Sequence, residues 1–295
     1  MRTKQLTSSL LLLLTAAIWG SAFVAQSVGM DYIGALTFNA ARSLLAALVL
    51  LPVIRLADKK RGHKAPWPIK GGLLCGTALC VASNLQQFGL RYTTVGKAGF
   101  LTACYIVIVP FLGLFLKRRC GWSAWVGAGL SLAGLYLLCI TDGFVPGLGD
   151  TLVFLCAVVY AAHILLADHF APGVDCLRLS LLQFLVHGGL SALGALCFES
   201  VSLSACLDAW LPILYAGLLS SAGGYTLQLV AQKNLDPTVA SLLMSLESCF
   251  AVLAGWLILD QQLSSREWVG CALMFCAILL VQLFPAKSNS KEELT

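Results

Sequence analysis

The chain has 295 residues, of which 59% are hydrophobic and 11% are charged, and its formal net charge is +5. Soluble domains carry charge on roughly a quarter of their positions. This composition excludes a soluble fold and predicts an all-α integral membrane protein.

The apolar residues fall into about ten blocks whose length suits a membrane-spanning helix. A helix rises about 1.5 Å per residue, so roughly 20 residues cross a hydrocarbon core of about 30 Å. Predicted spans 1 to 5 are Leu6–Val28, Ile33–Ala57, Ile69–Gly89, Ala98–Leu116 and Trp122–Ile140. Predicted spans 6 to 10 are Leu148–Ala167, Leu179–Phe198, Ala209–Val230, Val239–Leu259 and Trp268–Phe284.

Basic residues are distributed unequally between the predicted loops. With a cytoplasmic amino terminus, about 15 of the 19 Lys and Arg residues lie on the cytoplasmic side, about 3 lie outside, and Arg42 lies in the membrane. We therefore predict a protein of the plasma (inner) membrane with both termini, including the tail 287–295, in the cytoplasm. The basic runs Lys59–Arg61 and Lys117–Arg119 are interpreted as topology signals, so no nucleic-acid partner is expected.

The two halves of the chain match when the sequence is shifted by about 141 to 143 residues. The aligned pairs are Trp19 with Tyr160, Arg42 with Gln183, Asn84 with Tyr225, Gln87 with Gln228, Trp125 with Trp268 and Gly127 with Gly270. We predict a first five-helix repeat at residues 1–141 and a second at 142–286. Five is an odd number, so the second copy inserts upside down, an arrangement typical of secondary transporters with a substrate site near the bilayer midplane.

Four short stretches occur in a recognisable order and spacing. They are AAIWGSAF around Trp19, LRYTTVGKAGFL at the start of span 4, Gly149-Asp150 before span 6, and ASLLMSLES at the start of span 9. Together they resemble EamA-type members of the drug/metabolite transporter superfamily. The resemblance implies a ten-helix fold with a central cavity, and export or facilitated passage of amino acids or other small metabolites. Ser248 and Gln261 depart from the family pattern, where a proline and an acid are common.

Polar side chains follow one face of two matched spans. Asn84 and Gln87 share a face of span 3, and Tyr225 and Gln228 share a face of span 8. Hydrocarbon disfavours such faces, so we predict that they line a central cavity. The alternative is that these amides only join neighbouring helices.

The residues predicted to bind substrate in this cavity are intramembrane charges, amides, aromatic residues and a histidine. They are Trp19, Asn39, Arg42, Asn84, Gln87, Tyr105, Tyr160, His163, Gln183, Tyr225, Gln228 and Glu247. Such a set suits an amino acid, an amine or a compact amphipathic metabolite. His163 could couple transport to protons or stay neutral and bonded to a neighbour, and both interpretations remain open.

Arg42 and Glu247 are the two full charges predicted deep in the membrane. Either charge alone would cost several kcal/mol there. One hypothesis is that they pair and act as a latch between the halves. The other is that each bonds separately to nearby polar groups.

Two other functional classes are compatible with parts of the sequence. Gly147-Leu148-Gly149-Asp150 spells the G-x-G-D of intramembrane aspartyl proteases, but that chemistry needs a second nearby carboxylate. We predict instead that Asp150 caps the start of span 6. Metalloprotease and phosphate-loop patterns are missing and the cysteines form no C-x-x-C pair, so we expect no catalytic residue, metal or cofactor.

A passive channel is the other alternative. The expected partners are a small-molecule substrate and membrane lipid, and a homodimer is left open.

Overall fold

The computed structural model describes residues 2–93, 95–116, 121–140, 147–251, 253 and 264–284. Within these residues the regular secondary structure is entirely helical, which confirms the predicted all-α class. The helices of the first half are α1 (Arg2–Gly29), α2 (Ala35–Arg61), α3 (Ile69–Gly89), α4 (Val95–Ala103), α5 (Tyr105–Phe115) and α6 (Trp122–Cys139). Those of the second half are α7 (Leu148–Phe170), α8 (Cys176–Phe198), α9 (Leu203–Asp208), α10 (Trp210–Tyr215), a π-helical segment (Ala216–Tyr225), α11 (Thr226–Gln232), α12 (Pro237–Met244) and α13 (Ser265–Leu283).

Among the described residues, six helical stretches are long and apolar enough to cross a membrane. They are Thr3–Gly29, Ala35–Arg61, Lys97–Phe115, Leu148–Phe170, Cys176–Phe198 and Trp210–Gln232, and they correspond to predicted spans 1, 2, 4, 6, 7 and 8. Trp122–Leu138 and Pro237–Ala251 are shorter apolar helices. The second half of predicted span 9, Gln261, the tail 287–295 and the predicted junction at 141 and 142 lie outside the described residues.

Two predicted spans are less regular than the sequence pattern indicated. Span 4 is divided at Cys104, where the N–H groups of Cys104 and Val107 donate to carbonyl groups three residues earlier. Span 8 contains the ten-residue π-helical segment Ala216–Tyr225. Hydrophobic periodicity does not reveal either change, because the apolar run continues through both segments.

Local sequence explains where several helices begin and end. The Asp236 carboxylate accepts the Thr238 N–H at 2.8 Å, and Pro237 occupies the first turn of α12, where its missing N–H costs nothing. Helix α2 ends at Gly62, whose φ of 76° is the left-handed conformation that glycine adopts readily. These signals set the helix lengths that determine which side chains reach the centre of the bundle.

Close contacts between the two halves occur in reciprocal pairs. A Cβ atom on Gly76 of α3 would lie 2.8 Å from the carbonyl oxygen of Gln183 in α8. A Cβ atom on Gly217 would lie 3.1 Å from the carbonyl oxygen of Arg42 in α2. Gly217 follows Gly76 by 141 residues, and Gln183 follows Arg42 by the same 141. The halves therefore pack on each other through equivalent surfaces, related by an approximate two-fold rotation.

Helices α6 and α13 make a similarly close contact through glycine. A Cβ atom on Gly134 would lie 2.7 Å from the Gly270 carbonyl oxygen, and one on Gly270 would lie 2.6 Å from the Gly134 carbonyl oxygen. Real Cβ atoms do not approach backbone so closely. These two helices can adopt this separation only because both positions lack a side chain.

We expect Gly134→Ala to destabilise the protein by about 1–3 kcal/mol, because the added methyl group forces α6 and α13 apart. Gly129→Ala, in the same helix, is the matched control, since a Cβ atom there meets no atom within 4 Å. Its expected effect is neutral or stabilising by up to about 1 kcal/mol, from helix propensity. Thermal unfolding of the purified variants in detergent measures both, and equal effects would contradict this packing.

Candidate functional site

A cavity lies between α1, α2, α7 and the π-helical segment. Its volume is about 40 Å³, which holds a few water molecules and is smaller than the roughly 300–1,000 Å³ of typical small-molecule sites. The predicted residues that line it are Trp19, Arg42, Tyr105, Tyr160, His163, Tyr225, Gln228 and Glu247. Both halves of the chain thus contribute to one cavity.

The other four predicted residues lie behind this lining, where three of them contact it and Asn84 contacts Asn39. Asn39 accepts a hydrogen bond from the Arg42 Nε–H at 2.8 Å, and Asn39 Nδ2 donates to Asn84 Oδ1 at 2.8 Å. Gln183 Oε1 lies 3.3 Å from His163 Nε2. Gln87 Nε2 donates to the backbone carbonyl oxygen of residue 26 at 3.1 Å. The structure therefore places these amides where they orient the lining.

Arg42 is buried, with 3% of its surface exposed. Its Nε–H is bound to Asn39, while its two Nη groups have no hydrogen-bond partner in the described part of the chain. A guanidinium presents its donors in a rigid plane. One edge of the Arg42 plane is therefore held by protein, and the other is available to the cavity that Arg42 lines.

Glu247 is also buried, with 5% of its surface exposed. The Tyr105 hydroxyl group donates to Glu247 Oε1 at 3.3 Å. Among the described residues, Glu247 forms no ion pair with Arg42, although both line the cavity. The structure thus shows the second of the two sequence hypotheses, in which each charge bonds separately.

Aromatic residues form one wall of the cavity. The Trp19 and Tyr225 rings lie 4.7 Å apart between centroids, and the Tyr225 hydroxyl group lies 3.4 Å from that of Tyr160. Trp19 Nε1 donates to the Ser220 carbonyl oxygen at 3.1 Å, and the Tyr160 hydroxyl group lies 3.2 Å from Ser83 Oγ. Tyr225 therefore lies between the two matched aromatic residues. Such a wall suits an apolar or cationic part of a ligand.

Several lining residues are absent from the predicted set: Gln26, Gln86, Thr102 and Ser220. The Oε1 atoms of Gln26 and Gln228 are buried without a hydrogen-bond partner in the described residues. Gln26 and Gln86 could have been found, because an amide inside an apolar span is itself a signal of function. Thr102 and Ser220 lie in the two irregular segments, and the sequence pattern carries no comparable signal for them.

The two intramembrane histidines are bonded to neighbours. His163 contacts Gln183, and His187 Nδ1 lies 3.0 Å from Ser43 Oγ. His163 is therefore bonded to a neighbour, which is one of its two interpretations from the sequence, and His187 is bonded in a similar way. A role of His163 in proton coupling stays a hypothesis.

Asp150 is a helix cap. Its Oδ2 atom accepts the Gly147 N–H at 2.9 Å, and its Oδ1 atom accepts a hydrogen bond from the Thr93 hydroxyl group. One oxygen therefore caps the start of α7, and the other joins it to the segment between α3 and α4. The carboxylate that suggested a protease has a structural role.

Sequence comparison identifies this architecture in known proteins. The profile of the EamA-like transporter family matches residues 6–140 and again residues 147–283. An uncharacterized transporter of Archaeoglobus fulgidus is 28% identical, covering 95% of this chain and 87% of the relative. The uncharacterized inner membrane transporter YedA of Escherichia coli K12 is 24% identical, covering 92% and 90%. A probable terminal-alkyne amino-acid exporter of Streptantibioticus cattleyicolor is 26% identical, covering 92% and 91%.

A solved structure has the same fold. A crystal structure of a protein with 18% sequence identity superposes with a TM-score of 0.78, covering 94% of this chain and 96% of the other. At this level of identity the match supports the fold alone.

Arg42 and Glu247 bond to different residues, so substitutions of the two side chains should act independently. We expect the losses of stability caused by Arg42→Gln and Glu247→Gln to add in the double variant to within about 0.5 kcal/mol, because they share no hydrogen-bond partner. Unfolding of the four proteins of the double-mutant cycle in detergent measures this. A coupling above about 1 kcal/mol would show that the charges interact directly.

Proposed function

Since this chain belongs to the EamA-like transporter family, we propose that it is a secondary transporter that moves a small metabolite across the inner membrane. The observation that carries the proposal is the central cavity, to which both matched halves contribute buried polar and aromatic side chains. The described helices that are long and apolar enough to span a membrane make the protein a multi-pass membrane protein.

The proposed architecture has about ten spans in two inverted repeats with cytoplasmic termini. The reciprocal contacts of Gly76 with Gln183 and of Gly217 with Arg42 support an approximate two-fold relation. The excess of Lys and Arg in the predicted cytoplasmic loops supports the orientation. Rocking one half against the other would expose the cavity alternately to the two sides of the membrane.

The proposed substrates are amino acids, amines and compact amphipathic metabolites, moved by export or facilitated exchange. The cavity offers a guanidinium, a carboxyl group, amide oxygens and an aromatic wall, so it can contact both polar and apolar groups of one molecule. The Streptantibioticus cattleyicolor relative is named as a probable amino-acid exporter, which supports this class.

Two alternatives are less well supported. An intramembrane hydrolase would need Asp150 for chemistry, but its two oxygens accept structural hydrogen bonds from the Gly147 N–H and the Thr93 hydroxyl group. A passive channel would conduct without a carrier cycle. Carriers show counterflow, in which unlabelled substrate inside a vesicle drives uptake of labelled substrate, and channels do not.

The test uses purified protein in proteoliposomes with a panel of labelled amino acids and amines. We expect counterflow with at least one compound, both with and without a pH gradient. Gln228→Leu should lower the rate per folded protein about three- to tenfold, because the buried amide oxygen is lost from the cavity. Gln232→Leu is the matched control, since Gln232 lies one turn farther along, donates to the Ile164 carbonyl oxygen and is not among the residues that line the cavity.

The amount of folded, inserted protein is measured for each variant by detergent extraction and size-exclusion chromatography. Equal transport loss per folded protein in both variants would contradict a cavity role for Gln228. Uptake that is linear in concentration and shows no counterflow would contradict a carrier.

A further inference from the structure

A chain of hydrogen bonds holds the Arg42 guanidinium in one orientation. Arg42 Nε–H donates to Asn39 Oδ1 at 2.8 Å, and Asn39 Nδ2 donates to Asn84 Oδ1 at 2.8 Å and to the Ser83 carbonyl oxygen at 3.2 Å. Asn84 Nδ2 in turn donates to Ser191 Oγ at 2.9 Å. Each amide oxygen accepts and each amide nitrogen donates, so the direction of the chain follows from the guanidinium, which can only donate.

The free edge of the guanidinium determines what it can bind. With Nε occupied, the two Nη groups remain, and they present parallel N–H donors about as far apart as the oxygens of a carboxylate. A planar oxyanion can accept both in the bidentate arrangement typical of arginine. An amine or another cation would instead be repelled.

The cavity is charged asymmetrically around this residue. The position equivalent to Arg42 in the second half is Gln183, whose side chain is neutral and engaged with His163. Gln26 and Gln228, which also line the cavity, each have a buried Oε1 atom without a hydrogen-bond partner among the described residues. The positive charge of Arg42 therefore has no counterpart at the equivalent position of the second half, while Glu247 contributes a carboxyl group to the same lining.

We propose that Arg42 is the subsite for a carboxylate group of the substrate, and that Asn39 and Asn84 are positioning residues that aim its Nη groups into the cavity. The inference rests on the proposed transport function and adds the chemical class of the group that is recognised. Substrates with a carboxylate bind through Arg42, and the corresponding amides and decarboxylated amines do not use it.

The experiment measures thermal stabilisation of the purified protein in detergent, and counterflow in proteoliposomes, with matched compounds. One set is phenylalanine, its amide, phenethylamine and 3-phenylpropanoate, and the second is the corresponding leucine series. We expect binding by the carboxylate members. Arg42→Gln, which introduces the residue that the second half has at the equivalent position, should weaken that binding about tenfold or more. Asn39→Leu should weaken it severalfold, leaving any binding of the amide unchanged.

Arg42→Lys separates charge from geometry, since lysine keeps the charge but loses the paired donors. It should restore part of the carboxylate binding lost in Arg42→Gln. Should Asn39→Leu fail to fold, Asn84→Leu tests the same chain of hydrogen bonds one residue farther away.

Transport of amines or amides without any binding of carboxylates would overturn the subsite while leaving the transporter proposal intact. Absence of counterflow with every compound would count against the transporter proposal itself, and folded protein that no carboxylate stabilises would overturn the subsite.

A second inference comes from a different pair of contacts, at the two ends of α2 and α8. At one end the Glu199 carboxylate accepts the Leu36 N–H at 2.9 Å and the Thr37 N–H and Oγ1–H at 2.8 and 2.7 Å. At the other end Arg178 Nη2 donates to Asp58 Oδ2 at 2.6 Å. We call these the outer contact and the inner contact, following the predicted orientation.

The two contacts are equivalent by the internal repeat. Glu199 follows Asp58 by 141 residues, and Arg178 follows Thr37 by the same 141. In each contact a carboxylate at the end of one helix therefore binds the first turn of its partner helix. The glycine contacts of α3 with α8 and of the π-helical segment with α2 show the same offset of 141 residues, so one two-fold relation covers all four contacts.

The two contacts differ in their partners. The outer contact joins the Glu199 carboxylate to uncharged donors. Gly34 has no side chain and so leaves space for this carboxylate, since a Cβ atom on Gly34 would lie 2.2 Å from it. The inner contact joins opposite charges, and an ion pair between Arg61 and Asp175 lies beside it. Burial raises the pKa of Asp175, but hydrogen bonds from Arg61 and the Leu177 N–H outweigh this and hold the pKa below its usual value. Asp175 therefore stays ionised.

We infer that the outer and inner contacts are paired closures that open alternately when the halves rock. Separation of the outer ends of α2 and α8 breaks the Glu199 contact and leaves the Asp58 contact closed, and the opposite motion does the reverse. The inner closure has more charge pairing, so the outer end opens more readily when the cavity is empty. This inference rests on alternating access within the proposed function.

The test places a cysteine at Ala22, which lines the cavity, in a chain whose native cysteines are replaced. An impermeant thiol reagent is added to right-side-out or inside-out membrane vesicles. Glu199→Gln should raise labelling severalfold from outside, and Asp58→Asn should raise it from the cytoplasmic side. Asp31→Asn is the matched control, because it removes an exposed acid from an outer loop without touching either contact.

A chain that keeps its native cysteines provides a second background if the cysteine-free protein does not transport, with its own labelling subtracted. Opposite changes by the two variants support the closures, because a general loss of stability would raise labelling from both sides. Changes on the same side, or no change, would overturn the closures. Counterflow measured on the same proteins shows separately whether the transporter proposal stands.

Discussion

The centre of this protein depends on how a buried guanidinium is held. A charged side chain in the bilayer core costs at least about 2.5–3.5 kcal/mol, and backbone or side-chain groups there must find their partners within the protein. Asn39 supplies one partner to Arg42, Asn84 holds Asn39, and Ser191 holds Asn84. These residues belong to α2, α3 and α8, so the packing of three helices determines the direction in which the guanidinium points.

The approximate two-fold relation holds in the scaffold and is broken in the cavity. Gly76 and Gly217 make equivalent contacts with the backbone of the opposite half, because only a residue without a side chain permits that approach. In the cavity, by contrast, Arg42 is matched with Gln183. An asymmetric cavity can bind a molecule that has no symmetry of its own.

Irregular backbone occurs where it borders the cavity. The π-helical segment includes Ser220, whose carbonyl oxygen accepts the Trp19 Nε1–H, and the break at Cys104 lies between Thr102 and Tyr105, which both line the cavity. Departures from α-helical geometry leave backbone groups that lipid cannot satisfy. A polar cavity and its side chains can satisfy them, which is why such segments occur there and are frequent at functional sites.

The sequence by itself determined the helical class, the register of the repeat, the cap at Asp150 and much of the cavity lining, because the length of an apolar run, its period and a capping residue are local properties. Only the tertiary structure decided that Asn39 and Asn84 lie behind Arg42, that Glu247 bonds to Tyr105 instead of Arg42, and that Gln26 joins the lining. Helical periodicity states which side chains share a face, but not how far that helix is rotated toward its neighbours. A polar helix face in a membrane can contact either a cavity or the polar face of another helix. The distances between the helices determine which of the two it contacts.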